Sequence, residues 1–254
     1  MAWNPEVYNQ FKSERSAPFF DLLALLKVRP GLEVIDLGCG TGELTAQMAD
    51  TLPESRVLGV DSSEEMLGNS QKPDGSILNF ECISIENQLE KDQQWDVVFS
   101  NAALQWVPDH EALFPQIISK IKPGGQLLAQ MPAQHHNLTN RLLNELATQE
   151  PYATVYAGWN RLSPVLEPDR YAEILFESGS RSMQVFEKIY PLILKDADAL
   201  LTWVSGTALI PYLERLPEHL KNSFRKDYRA LLHQHFPKTP VFYPFKRILL
   251  EAQF

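Results

Sequence analysis

Apolar residues along this chain recur in two rhythms that take turns. Short β-branched runs at 33–37, 56–60, 77–81, 95–100 and 126–131 are each followed by a stretch with helical spacing. Five strand-helix units in succession predict an α/β fold, a Rossmann-like, doubly wound sheet with helices on both faces. A polar-aromatic arm from Trp3 to Arg15 comes first, then Leu22, Leu23, Leu25 and Leu26 predict a helix over 19–27 that Pro30-Gly31 stops. After the fifth strand the spacing predicts a helix over 138–147, a long loop over 151–168 rich in Tyr, Trp and Pro, and a helix over 169–177. A strand over 183–194 contains Pro191, which belongs at a sheet edge or a bulge. The segment 196–236 reads as helices, through Leu200, Leu201, Val204, Leu213, Leu216, Leu220, Phe224, Leu231 and Leu232. The last residues, 246–254, read as a final strand, so the helices before it form an insertion if that strand returns to the main sheet.

Composition narrows the functional classes. The 23 Lys+Arg against 32 Asp+Glu give a net charge of −9, with the basic residues scattered, which argues against nucleic acid as partner. The two cysteines, Cys39 and Cys82, match no disulfide or metal pattern, so no metal is expected and a reducing, cytoplasmic setting is. Pro5 and Glu6 interrupt the start where a signal peptide needs an apolar run, and no segment approaches eighteen apolar residues, so no membrane span is expected.

The chemistry concentrates in Val34-Ile35-Asp36-Leu37-Gly38-Cys39-Gly40-Thr41-Gly42. In an open α/β sheet, ligands bind beyond the carboxyl ends of the strands at the switch point, where this loop falls. Glycines there allow a sharp turn and close approach, and the following helix turns its free N–H groups to the same spot. A dinucleotide fold seats a pyrophosphate with G-x-G-x-x-G; here the spacing is Gly38-x-Gly40-x-Gly42. Asp36 repels a pyrophosphate but suits an ammonium group, directly or through water. That favours S-adenosylmethionine (AdoMet) over a nicotinamide cofactor. Asp61, about twenty residues on at the end of the second strand, is placed to accept ribose hydroxyls, with capping of the next helix as the plain alternative. Met66, one turn into that helix, divides between adenine packing and core.

These motifs, with Gly59-Val60-Asp61-Ser62-Ser63 and Asn101-Ala102-Ala103-Leu104-Gln105-Trp106, resemble the class I AdoMet-dependent methyltransferases. Trp3-Asn4-Pro5, Tyr8, Phe11, Glu14-Arg15-Ser16, the run from Leu104 to His110, Leu113-Phe114-Pro115, Trp203-Val204 and Pro211-Tyr212-Leu213 are more narrowly similar to the trans-aconitate methyltransferase branch of that family. The resemblance implies one methyltransferase domain over 1–254. It implies seven strands, with an antiparallel last strand inserted beside the fifth and the sixth at the edge, which accounts for Pro191. It also implies an N-terminal helical arm over 1–28 above the cofactor and a helical substrate lid over 196–240 between the last two strands.

Function follows as an expectation: AdoMet-dependent O-methylation of a carboxylate on a small acid of the trans-aconitate kind. A carboxylate is already ionised at neutral pH, so no general base and no catalytic residue is expected; the enzyme positions and desolvates. The cofactor set implied is Asp36, Gly38, Cys39, Gly40, Asp61, Ser62, Met66, Ser84, Ile85 and Asn101. Substrate-lining candidates are Gln105, Trp106, Arg15, Trp203 and Tyr212; for Trp106 the plain reading is a core anchor, and for Arg15 a surface pair with Glu14. Where the family places an acidic adenine contact this chain has Ser84, and where an arginine is implied it has Ile210. Arg161, Arg170 and Arg247 read first as exposed cations, and His135-His136 as surface. Tyr152, Tyr156, Trp159, Trp203, Tyr212 and Phe242-Tyr243 divide between lid packing and an apolar chamber. The alternatives are methylation of another metabolite or acyl-carrier carboxylate, and an AdoMet-binding module without turnover. A monomer or weak homodimer is expected.

Overall fold

A computed structural model describes residues 12–68, 77–160 and 163–254, with side chains described from residue 16 onward. Trp3, Tyr8, Phe11 and Arg161 lie outside that description, as does the side chain of Arg15. The strands are β1 (Glu33–Leu37), β2 (Arg56–Asp61), β3 (Leu78–Cys82), β4 (Trp95–Asn101), β5 (Ile121–Pro132), β6 (Ser182–Leu194) and β7 (Val241–Gln253). They form one sheet in the order β3-β2-β1-β4-β5-β7-β6. The first five are parallel. β7 runs antiparallel beside β5, with Gln126 opposite Gln253 and Pro132 opposite Arg247. Pro191 is exposed on edge strand β6, where a missing N–H costs no ladder bond.

By packing, the chain divides into two compact units. The sheet unit takes residues 16–132, 164–188 and 247–254, and the helical unit takes 133–163 and 189–246. In the sheet unit, consecutive residues of β1 and β4 are buried, as strands covered on both faces require. Val34, Val57, Val97, Phe99 and Leu128 pack on one face under α1 (Lys12–Leu23) and α2 (Glu43–Ala49), with Phe19, Leu22 and Met48 fully buried. α1 begins earlier than the leucine spacing predicts and runs through Pro18, because Phe19 and Leu22 just beyond it anchor the last turn. The other helices of this unit are α3 (Glu64–Leu67), α4 (Ile85–Leu89), α5 (His110–Ser119) and, later in the chain, α8 (Pro168–Glu177).

The helical unit contains α6 (Leu138–Ala147), α7 (Tyr152–Tyr156), α9 (Ala197–Ser205), α10 (Ile210–Arg215) and α11 (Glu218–His235). α7 lies within the stretch expected as loop. This unit's core answers the chamber question for most of its aromatics, since Tyr152, Tyr156, Trp203, Tyr212 and Tyr243 are packed and buried. Buried tyrosines need partners for their hydroxyls. Tyr152 Oη donates to Asp227 Oδ2 at 2.6 Å, Tyr156 Oη to the Tyr212 carbonyl at 3.1 Å, and Tyr228 Oη to the Thr139 carbonyl at 3.1 Å. Tyr212 Oη donates to Asn144 Oδ1, and Trp203 meets Phe245 edge-on.

Candidate functional site

The strand order reverses between β1 and β4, and the glycine loop leaves β1 at that switch point. Gly38, Gly40 and Gly42 all have positive φ (78°, 59° and 73°). A Cβ on Gly38 would sit 2.2 Å from Ala103 Cβ, and one on Gly42 would sit 2.5 Å from the Phe80 ring. A Cβ on Gly40 would meet nothing within 4 Å, so this part of the loop offers bare backbone to open space. The turn is held by the amides of Gly38 and Cys39, which both donate to the Val60 carbonyl (2.8 and 2.9 Å).

Two carboxylates frame the loop. Asp61 Oδ2 accepts from Gly40 N and Oδ1 from Ser63 N, each at 2.9 Å, tying the loop to the start of α3. Asp36 is 3 % exposed; its Oδ2 accepts from Thr45 Oγ1 at 2.6 Å, and its Oδ1 has no partner among the described residues. Burial pushes its carboxyl up to about 7, the Thr45 bond opposes this, and the Asp61 charge adds to it. An unpartnered buried acceptor costs on the order of 1–3 kcal/mol, and a cation at that oxygen relieves it. Cys39 is partly buried, and burial with the neighbouring carboxylates raises its thiol far out of the nucleophilic range.

Around this pair, Ser84 caps α4 by accepting from Asn87 N at 3.2 Å, and Ile85 Cδ1 reaches within 3.8 Å of a Cβ built on Gly38. Met66 is half-buried in α3 and Ser62 is exposed beside Asp61. Asn101 ends β4, and its Oδ1 accepts from Gln130 Nε2 at 2.5 Å. Gln130 Oε1 in turn accepts from Arg247 Nη1 at 2.9 Å. Arg247 is 6 % exposed, which corrects its reading as a solvated cation: antiparallel β7 carries it into the sheet. Arg170 is partly exposed and engaged with Glu111 and Glu173.

After Asn101 the chain turns sharply. Ala102 adopts a positive φ of 56°, a strained conformation for a residue with a Cβ. The short helical turn Leu104–Trp106 follows. Gln105 is 6 % exposed; its Nε2 donates to the Ala102 carbonyl at 2.6 Å, and its Oε1 has no partner among the described residues. Trp106 is 53 % exposed, so it is not the core anchor that its size suggests. Trp203 and Tyr212 belong to the core of the helical unit, where Tyr212 also borders a small polar cleft with Gln134, His135, Asn140, Asn144 and Ser163. Thr45 and Phe80 are the site residues that sequence reasoning missed. Thr45 carries no motif signal, whereas Phe80 sits in a strand directly opposite Gly59.

Among the described residues no cluster of His, Cys, Asp and Glu fits a metal ion, and no helix is long and apolar enough to cross a membrane.

The chain matches a family described as "Methyltransferase domain" over residues 29–179. It is 43% identical to a trans-aconitate 2-methyltransferase of Deinococcus radiodurans, covering 99% of this chain and 98% of that one. It is 37% identical to the trans-aconitate 2-methyltransferase of Variovorax paradoxus, over 92% of this chain and 90% of the relative. Among solved structures, a cyclopropane-fatty-acyl-phospholipid synthase-like protein of Lactobacillus casei superposes with a TM-score of 0.60 at 18% identity, covering 96% of this chain and 92% of that one. A phosphoethanolamine N-methyltransferase of Haemonchus contortus, in complex with S-adenosylhomocysteine, gives 0.54 at 18% identity over 92% of this chain and 53% of that one. At such identities the superpositions speak for the fold.

Proposed function

The chain belongs to the AdoMet-dependent methyltransferase family, and from that premise we propose that it methylates a carboxylate of a small organic acid, trans-aconitate first among them. The observation that carries the cofactor half is the loop at the switch point: bare backbone at Gly40 flanked by the buried, unpartnered Asp36 Oδ1 and by Asp61. The substrate half rests on the two full-length relatives.

The residues fit the cofactor. AdoMet, when bound, supplies an electrophilic methyl group on a sulfonium. Asp36 Oδ1 accepts from its ammonium, which removes the orphaned charge, and the glycine loop gives close backbone approach. Asp61 accepts from the ribose while keeping Gly40 and Ser63 in place. Ser84, Ile85 and Met66 border the adenine, with Ser62 and Cys39 lining by backbone. Asn101 uses its carbonyl and Nδ2, because Oδ1 is committed to Gln130.

No residue of this set needs to move a proton. The contribution of the chain is to hold an ionised oxygen in line and to exclude water, worth up to about 7–11 kcal/mol in ideal geometry. Gln105 and Trp106 are the acceptor-side candidates next to Asn101 in the chain, and Tyr212, like Trp203, belongs to the core of the helical unit.

Turnover of labelled AdoMet with trans-aconitate, other di- and tricarboxylates, a fatty acid and an acylated carrier protein tests this reading. A methyl ester formed on trans-aconitate at the highest kcat/KM supports it. Product only on the fatty acid or carrier replaces the substrate class. Tight AdoMet binding without product on any acid makes the chain a binding module.

A further inference from the structure

His110 is 1 % exposed at the first position of α5, and the acceptor turn does not use it directly. Its Nε2 lies 2.9 Å from the Leu104 carbonyl, which also accepts from Val107 N at 2.9 Å. A carbonyl only accepts, so Nε2 carries the proton. Nδ1 must then accept, and Tyr171 Oη lies 2.5 Å from it. Tyr171 Oη accepts in turn from Leu166 N at 3.0 Å, and its proton goes to His110 Nδ1 at 2.5 Å in preference to the weaker and more distant Met131 Sδ at 3.4 Å. The chain Leu166, Tyr171, His110, Leu104 therefore has one consistent direction of donation. Phe114 packs against both rings, with centroids 5.5 Å from His110 and 4.8 Å from Tyr171.

We infer that His110 is a positioning residue for methyl transfer: as a neutral Nε2–H donor locked by Tyr171, it fixes the turn that presents Gln105 and Trp106. The turn needs such a brace. It follows the strained Ala102, and it carries the buried Gln105 Oε1, which has no partner among the described residues. Among the described residues, the charged groups around the imidazole are Asp109 and Glu111 on its own element and Arg170 next to Tyr171, the last two paired with each other. Burial lowers the imidazole's pKa, opposed by the backbone of Leu104 and Val107 and then by the Asp109 charge. Because Asp36 and Asp61 stand on other strands, loss of the brace separates turnover from cofactor binding. The inference rests on the methyltransferase reading above.

The test compares His110→Phe, His110→Gln, which keeps a donor at the ε position, and Tyr171→Phe. At saturating AdoMet, His110→Phe is expected to lower kcat at least thirtyfold with the AdoMet Kd within threefold of the parent. His110→Gln recovers to within about fivefold of parent kcat. Tyr171→Phe frees Nδ1 to take a proton, so its kcat is expected to fall more steeply than the parent's as pH is lowered. Unchanged kcat in His110→Phe overturns the inference, as does parallel loss of kcat and AdoMet affinity, or a glutamine variant no better than phenylalanine.

If no acid is turned over, the brace is read without turnover. Nitrogen-15 spectra at neutral pH should show His110 as the neutral Nε2–H tautomer, and the Val107 amide should exchange at least tenfold faster in His110→Phe. An Nδ1–H tautomer or unchanged exchange refutes it.

Discussion

Thr45 Oγ1 donates to Asp36 Oδ2 at 2.6 Å, and this bond joins the first turn of the helix after the glycine loop to the strand before it, while Asp36 Oδ1 has no partner among the described residues. If Asp36 also binds the cofactor as proposed, the arrangement sets opposite demands on stability and binding.

Asp36 keeps its proton in the folded chain up to about pH 7, whereas an unfolded aspartate releases it near pH 4. Its burial therefore favours the folded, ligand-free state fully below about pH 4, and that contribution is lost as pH rises through 7. Asp36→Asn keeps an acceptor for Thr45 and removes the buried charge. The ligand-free variant should melt roughly 3–8 °C higher than the parent at pH 8, with the difference vanishing near pH 4. AdoMet affinity should move the other way, at least about tenfold weaker at pH 8 in the variant, and about tenfold weaker in the parent at pH 6 than at pH 8. Calorimetric melting and titration across this range decide it; a variant less stable than the parent at pH 8 removes the account of Asp36.

Gly38 and Gly40 separate backbone strain from collision. Both have positive φ, but only Gly38 faces a neighbour, Ala103 Cβ, at 2.2 Å from an added Cβ. Gly40→Ala should cost about 1–2 kcal/mol, the left-handed penalty alone. Gly38→Ala should cost at least about 3 kcal/mol. Adding Ala103→Gly should return the excess, since the next atoms then lie at 3.6 and 3.8 Å. Equal costs in urea melts at the two glycines would contradict the packing argument.

Much of this was legible in the chain itself. The alternating runs locate every strand and the order of elements, because strand and helix periods are local properties. The reach of β5 back to Ile121 was not. Lys122-Pro123-Gly124-Gly125 reads locally as a turn, yet Gly124 N donates to the Phe254 carbonyl at 2.7 Å and Phe254 N to Gly125 O at 3.1 Å. The end of the chain supplies those partners, and no local window contains it. Arg247 misleads for a related reason: its residue type says surface, and its partner Gln130 is 117 positions away. Within the site, the glycines, Asp36 and Asp61 announced themselves by spacing. Thr45 and Tyr171 did not, because their value lies in side-chain hydrogen bonds that only the folded chain brings together.

A substitution can separate the observed role of Ser84 as a helix cap from its proposed one at the adenine. Its hydroxyl caps α4, and Asp is as good a cap as Ser. Ser84→Ala should lose about 1 kcal/mol of stability and weaken AdoMet binding. Ser84→Asp should keep the melting temperature and add a charged acceptor for the adenine amino group, tightening AdoMet by about three- to tenfold. Titration calorimetry on the three proteins tests this, and an aspartate variant that binds no tighter than the parent takes Ser84 out of the adenine contact.

Trp106 offers the sharpest division between packing and function. At 53 % exposure it contributes little to the core, so Trp106→Ala should shift stability by less than about 1 kcal/mol. If the residue lines the acceptor path, kcat/KM for the acid should fall at least about tenfold while the AdoMet Kd stays put, since no cofactor contact is removed. Trp106→Phe, which keeps a flat apolar face, should recover most of the loss. The comparison needs only chemical melts, titration and initial rates at two acid concentrations. An alanine variant that unfolds early returns Trp106 to a packing role, and one with unchanged kcat/KM moves the acceptor path away from this turn.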